Sequence, residues 1–187
     1  METKTHICPV WVGYIMSSPL RKLQQNPIKI LAPYISEGMR ILEIGPAMGF
    51  FSIPMARMTG ISGKVYSIDI QEPMLSKLNR RARKAGVDEI IETRLCTTDI
   101  YPVDDLIGTI DFTLLAYVVH EVPDQNKLFA SIAKVMKRNS IVLLLEPKSH
   151  VSPIRWEKSL AAAVEHGFQI KHQESRARTR AVSLHKP

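Results

Sequence analysis

The stretch Ile41-Leu42-Glu43-Ile44-Gly45-Pro46-Ala47-Met48-Gly49-Phe50-Phe51-Ser52 constrains this chain more than any other. It reads as a buried strand, Arg40 to Ile44, that breaks into a turn of small residues and then enters a helix. Glycine at 45 and 49 allows a sharp reversal and lets a bound molecule approach the main chain. The following helix presents free N–H groups and the positive end of its dipole. Strand, glycine turn and helix N-terminus together make the nucleotide-cofactor cradle of open α/β sheets.

The spacing discriminates between cofactors. A dinucleotide fingerprint, G-x-G-x-x-G, would need glycine at Ala47 and at the bulky Phe50. Counting by E-x-G-x-G-x-G instead gives Glu43, Gly45, Ala47 and Gly49, with alanine in the middle glycine slot and Pro46 stiffening the turn before it. That pattern resembles motif I of the class I S-adenosylmethionine-dependent methyltransferases. Val65-Tyr66-Ser67-Ile68-Asp69-Ile70 is a β-rich run ending in a carboxylate. It lies about twenty residues beyond the turn, where an acid meets ribose hydroxyls. One carboxylate can accept from two adjacent hydroxyls at once. A third acid, Asp99, follows the strand-like Ile90 to Arg94, and in the resembled family an acid here bonds the adenine amino group. The resemblance implies S-adenosyl-L-methionine as cofactor, contacted by Glu43, Gly45, Ala47, Gly49, Asp69, Ile70, Thr98, Asp99 and Ala116. Gly45 to Gly49 would hold the methionine portion, Asp69 the ribose and Asp99 the adenine end.

The rest of the chain follows the same plan. Helices are expected over Ile53–Thr59, over Pro73–Ala85 with Gly86 beyond its end, from the cap Asp124 to Lys137, and from Ser152-Pro153 to about His166-Gly167. Met74, Leu75, Leu78, Ala82 and Ala85 mark the inner stripe of the second, and Arg80, Arg81, Arg83 and Lys84 fall mostly outside it. Thr109–Val119 and Ile141–Leu145 are apolar enough for buried central strands. Phe168–Gln173 and Ala181–His185 are weaker strands, placed as an antiparallel hairpin by analogy with the resembled family. Alternating strand and helix implies an α/β fold, a doubly wound, mostly parallel sheet with helices on both faces; the resemblance implies that it is Rossmann-like, with seven strands and an antiparallel C-terminal strand.

At 187 residues the chain can bury roughly 70% of its unfolded surface, which suits one domain. Residues 38–187 are assigned to the cofactor-binding domain, and residues 1–37 to an N-terminal helical lid segment with helix starts at Ser17-Ser18-Pro19 and Asn26-Pro27. Pro33 makes the second of these helices short or bent. The apolar run Ile7–Met16 contains Pro9 and Gly13 and falls short of the roughly 20 residues that a membrane span needs. No membrane association and a cytoplasmic location are therefore expected. Cys8 and Cys96 are too few for a disulfide framework; His6 and Cys8 place two soft metal ligands close together, beside the plainer reading of a half-buried thiol. No metal is assigned.

The formal net charge of +7 favours anionic partners. Arg176, Arg178 and Arg180 would share one face of an extended backbone, as an RNA-contacting edge or as a solvated hairpin tip. Amino-methyltransferases of nucleic acids usually carry Asn/Asp-Pro-Pro-aromatic after strand 4; here the place reads Ala116-Tyr117-Val118-Val119-His120-Glu121-Val122-Pro123-Asp124. That segment is similar to the small-molecule branch, including the ubiquinone/menaquinone C-methyltransferases, over about residues 38–150. The implied reaction is in-line displacement of the methyl group onto a small-molecule acceptor. Tyr117, His120 and Glu121 are the candidate catalytic residues, His120 being the one side chain there suited to proton transfer near neutral pH. The plainer reading makes His120 a turn cap and Glu121 a solvated acid. Trp11, Tyr14, Phe50 and Tyr117 are candidates to roof the acceptor. The alternatives are an RNA-directed methyltransferase, a nicotinamide-dependent oxidoreductase and a non-catalytic cofactor-binding module.

Overall fold

The computed structural model describes residues 25–98, 100–175 and 178–187. His6, Cys8, Trp11, Tyr14, the expected helix start at Ser17, Asp99 and Arg176 lie outside them. Seven strands form one sheet in the order β3-β2-β1-β4-β5-β7-β6, and the chain divides into two compact units, one ending at Cys96 and the other running from Thr97.

In the first unit, α1 (Pro27–Leu31) is capped by Asn26, whose Oδ1 accepts from the N–H of Ile28 and Lys29, and Pro27 opens it. It is five residues long, as Pro33 requires, and it packs on α2 (Ser52–Thr59). β1 (Arg40–Ile44) and β3 (Ile91–Leu95) pair in parallel with the two sides of β2 (Lys64–Asp69). α3 (Glu72–Ala85) buries Met74, Leu75, Leu78 and Ala82 of the expected stripe but leaves Ala85, in its last turn, only half-buried, and Gly86 closes the helix in the left-handed conformation. A stripe of that spacing is what holds a helix against a sheet. Arg81 departs from its outward neighbours: its guanidinium is half-buried and donates to the carbonyl of Met48 at 2.5 Å.

In the second unit, β4 (Ile110–Ala116) pairs in parallel with β5 (Met136–Pro147). α4 (Gln125–Val135) is capped by Asp124, and α5 (Pro153–Glu165) by Ser152. β7 (Thr179–Lys186) runs antiparallel between β5 and β6 (Gln169–Ser175), which confirms the one reversed strand in an otherwise parallel sheet. The larger departures from expectation are the end of β4, the end of α4 and the start of β5, which reaches back to Met136. β4 stops at Ala116 because Tyr117 takes φ +62°, and Val119–Glu121 closes a 3-10 turn instead of extending the strand. α4 stops at Val135, not Lys137, because Met136 is drawn into pairing with Ile110 and adopts an extended backbone. The freed carbonyls of Lys134 and Val135 accept from the N–H groups of Gly108 and Thr109, so the helix end is satisfied without a glycine.

Arg178 and Arg180, the described members of the basic triplet, do not share one strand. Arg178 sits in the bend before β7, and Arg180, on β7, donates to the carbonyl of Val151 at 2.7 Å.

Candidate active site

At the carboxyl end of β1 the chain passes through Gly45, Ala47 and Gly49, with φ of +71°, +48° and +85°. Alternate residues in the left-handed region curl the turn tightly, and Ala47 adopts the conformation that its slot demands even though a methyl group opposes it. No side chain larger than a methyl stands at these three positions. A Cβ on Gly49 would come within 2.5 Å of Leu78 Cδ1 on α3, so the turn is seated against that helix. Three amides of the turn are paired: Gly45 donates to Ile68 O at 2.9 Å, Gly49 to Pro46 O at 3.0 Å, and Ala47 to the carboxylate of Asp69.

Asp69 ends β2 and is buried. Its Oδ1 accepts the N–H of Gln71 at 2.9 Å, and the amides of Ala47 and Ile70 also point at the carboxylate. Burial pushes its pKa upward against those three hydrogen bonds. Glu43 lies deeper, with Oε2 accepting from Ser52 Oγ at 2.5 Å and Ser67 Oγ at 3.0 Å. It ties the end of β1 to the first turn of α2 and to β2. Burial lifts its pKa to about 7, opposed by the two serine hydroxyls and aided by the charge of Asp69.

In the second unit, the 3-10 turn Val119–Glu121 is held from three sides. Gln125 Nε2 donates to Val119 O at 3.0 Å and Arg155 Nη2 to His120 O at 2.9 Å. Glu146, on β5 and 1% exposed, makes the third hold: Oε1 accepts the peptide N–H of His120 at 3.1 Å, and Oε2 lies 2.6 Å from His120 Nδ1. His120 Nε2 is 3.9 Å from Glu121 Oε1, beyond hydrogen-bonding distance. The His150 ring stands edge-on to the imidazole, 6.1 Å between centroids. Tyr117 is half-buried, with its hydroxyl 3.3 Å from Thr179 Oγ1.

The structure thus gathers Glu43, Gly45, Ala47, Gly49 and Asp69 at the ends of β1 and β2, with Ile70 exposed just beyond. Thr98 is exposed in the bend after β3, and Ala116 is the last residue of β4. Tyr117, His120 and Glu121 follow within five residues of Ala116. Phe50 is not available as a roof: it is buried and packs edge-on against Phe51 at 5.0 Å. Sequence reasoning missed Ser52, Ser67, Arg81 and Glu146. A signal for Glu146 was present, since it is an acid following a buried apolar strand, as Asp69 is.

A family model described as a methyltransferase domain matches residues 35–181. The ubiquinone/menaquinone biosynthesis C-methyltransferase of Idiomarina loihiensis is 28% identical over 118 residues, 63% of this chain and 46% of that protein. The enzyme of the same name from Cronobacter sakazakii is 26% identical over 60% of this chain and 44% of its own length. The chain spans less than half the length of these curated relatives. Among solved structures, a SAM-dependent methyltransferase from Aquifex aeolicus superposes with a TM-score of 0.84 at 23% identity, covering 95% of this chain and 98% of that one. Geranyl diphosphate C-methyltransferase from Streptomyces coelicolor gives 0.74 at 12% identity, over 90% and 82% of the two chains. With a family match across most of its length and the strand order described above, the chain belongs to the methyltransferase domain family, within the class I, S-adenosylmethionine-dependent superfamily.

Proposed function

We propose that this domain transfers the methyl group of S-adenosylmethionine to a small-molecule acceptor. The observation that carries the reading is the turn at Gly45, Ala47 and Gly49, left-handed at all three positions, with its central amide tied to the carboxylate of Asp69. The residues present fit the cofactor. With nothing larger than a methyl group at Gly45, Ala47 and Gly49, the turn offers an open approach to its main chain, while Asp69 offers acceptor oxygens suited to paired ribose hydroxyls.

When bound, the cofactor supplies a methyl group already activated on a sulfonium. The protein's part is to bind, orient and exclude water. Gly45–Gly49 would take the methionine portion, Asp69 the ribose and Asp99 the adenine end, with Ile70, Thr98 and Ala116 beside them. His120 would take a proton from the acceptor, with Glu121 and Tyr117 flanking it. We assign cofactor binding to residues 38–187 and a lid to residues 1–37. Among the described residues no helix is long and apolar enough to cross a membrane. With only two cysteines in the chain, we place the activity in the cytoplasm.

Calorimetric titration with S-adenosylhomocysteine, beside reduced nicotinamide cofactors, tests the reading. Micromolar affinity for the former alone is expected. Binding of a reduced nicotinamide instead would overturn the proposal in favour of hydride transfer.

A further inference from the structure

The two bonds between Glu146 and His120 carry a consequence for the choice of acceptor. A buried carboxylate is costly unless its oxygens are hydrogen-bonded. Glu146 meets that demand through one residue: Oε1 takes the peptide N–H of His120, and Oε2 faces its Nδ1. A carboxylate is an acceptor only, so Nδ1 must carry a proton to meet it. In the neutral imidazole the other nitrogen, Nε2, then has its lone pair bare. The ring cannot swing away without taking from Glu146 Oε2 its partner, and Arg155 holds the carbonyl of the same residue. Also near the ring are Glu121, 3.9 Å from Nε2, and the edge-on ring of His150. Neither donates a hydrogen bond to Nε2.

Building on the methyl-transfer reading, we infer that Glu146 is a positioning residue that holds His120 in the Nδ1–H tautomer, so that Nε2 serves as proton acceptor for substrates that must lose a proton on methylation. The acceptor class is then an oxygen or carbon acid, such as a phenol or a 1,3-dicarbonyl, in contrast to a thioether or tertiary amine. The step balances. The acceptor's X–H proton passes to Nε2, the X lone pair forms the new bond to the methyl carbon, and the carbon–sulfur bond breaks with its pair going to sulfur. The imidazolium so formed lies between the carboxylates of Glu146 and Glu121, and later returns its proton to water.

Nitrogen-15 NMR of the neutral His120 ring tests the geometry without any acceptor. The Nδ1–H tautomer is expected in the wild type. Glu146→Gln keeps an oxygen for the peptide N–H but turns an amide donor toward Nδ1, so the ring proton should move to Nε2. An Nε2–H ring in the wild type overturns the inference. The role is tested by methyl transfer to phenol, 1,3-dicarbonyl and thioether probes. Glu146→Gln should lower kcat on the first two by about a hundredfold or more, with cofactor KM unchanged and any thioether transfer unaffected. Equal turnover by wild type and Glu146→Gln on the proton-bearing probes overturns it, as does wild-type transfer to thioethers alone. Loss of cofactor affinity in the wild type would be a different result, one that sinks the methyltransferase reading itself.

Discussion

The carboxylate of Asp69, at the end of β2, accepts a hydrogen bond from the peptide N–H of Ala47, at the centre of the turn that follows β1. The acid proposed to meet the ribose is therefore also a brace for the loop proposed to meet the methionine end. Asp69→Ala removes both functions at once. Hydrogen bonds to a charged group contribute about 1.5–3 kcal/mol, so affinity for S-adenosylhomocysteine should fall roughly ten- to a hundredfold. Calorimetry on the folded variant checks this, and unchanged affinity would remove Asp69 from the ribose role.

Ala47 and Gly49 should respond oppositely to substitution. Ala47 adopts φ +48°, where a Cβ costs about 1–2 kcal/mol. Ala47→Gly relieves that strain and gives back about 0.4–1 kcal/mol through the freer unfolded chain, so a small net gain in stability is expected. Gly49→Ala adds a methyl group 2.5 Å from Leu78 Cδ1 at φ +85° and should destabilise by about 1–3 kcal/mol. Urea unfolding of the two variants measures both, and a more stable Gly49→Ala protein would contradict the geometry.

The buried Glu43 makes stability depend on pH. Its folded pKa, about 7, lies above the ordinary value of 4.5, so the folded state holds the proton more tightly than the unfolded chain. The stabilisation is full below the ordinary value and is lost as pH rises through about 7. On the order of 3 kcal/mol is at stake for this group. Asp69, also raised, acts in the same direction. Glu43→Gln should flatten the decline between pH 5 and 8 in chemical denaturation. A wild type that gains stability over that interval while Glu43→Gln does not would refute the assignment.

Arg81 braces the same turn from α3 by donating to Met48 O. Arg81→Met keeps the aliphatic stem but strands that carbonyl. Cofactor affinity should weaken about three- to tenfold, from the loss of roughly 1 kcal/mol of ordering. Equal binding by wild type and variant in calorimetry would show that the turn is held without this bond.

The parts of the site that were legible in the sequence are those that local chemistry dictates. Glycines at 45 and 49 mark a turn, and Asp69 is read because it ends an apolar strand. Glu146 satisfies the same rule, yet its importance depends on a histidine 26 positions away, which only the pairing of β4 with β5 brings to it. The left-handed backbone at Tyr117 carries no local signal, since tyrosine is not a residue that seeks φ +62°. Phe50 is a candidate roof for the acceptor by sequence order and aromatic character alone; burial against Phe51 places it in the core. The start of β5 was hidden because Lys137-Arg138-Asn139 looks like a turn, whereas pairing of Met136 with Ile110 extends the strand back through it.

β7 follows β6 in the chain but lies between β6 and β5 in the sheet. Until β7 docks, β6 has no neighbour in the sheet and β5 presents an open edge carrying Val142 and Leu144. A folding chain in that condition exposes a strand edge of the kind that templates wrong pairings. β6, exposed at every position and bearing Lys171 and Glu174, is built to wait in water until its partner arrives.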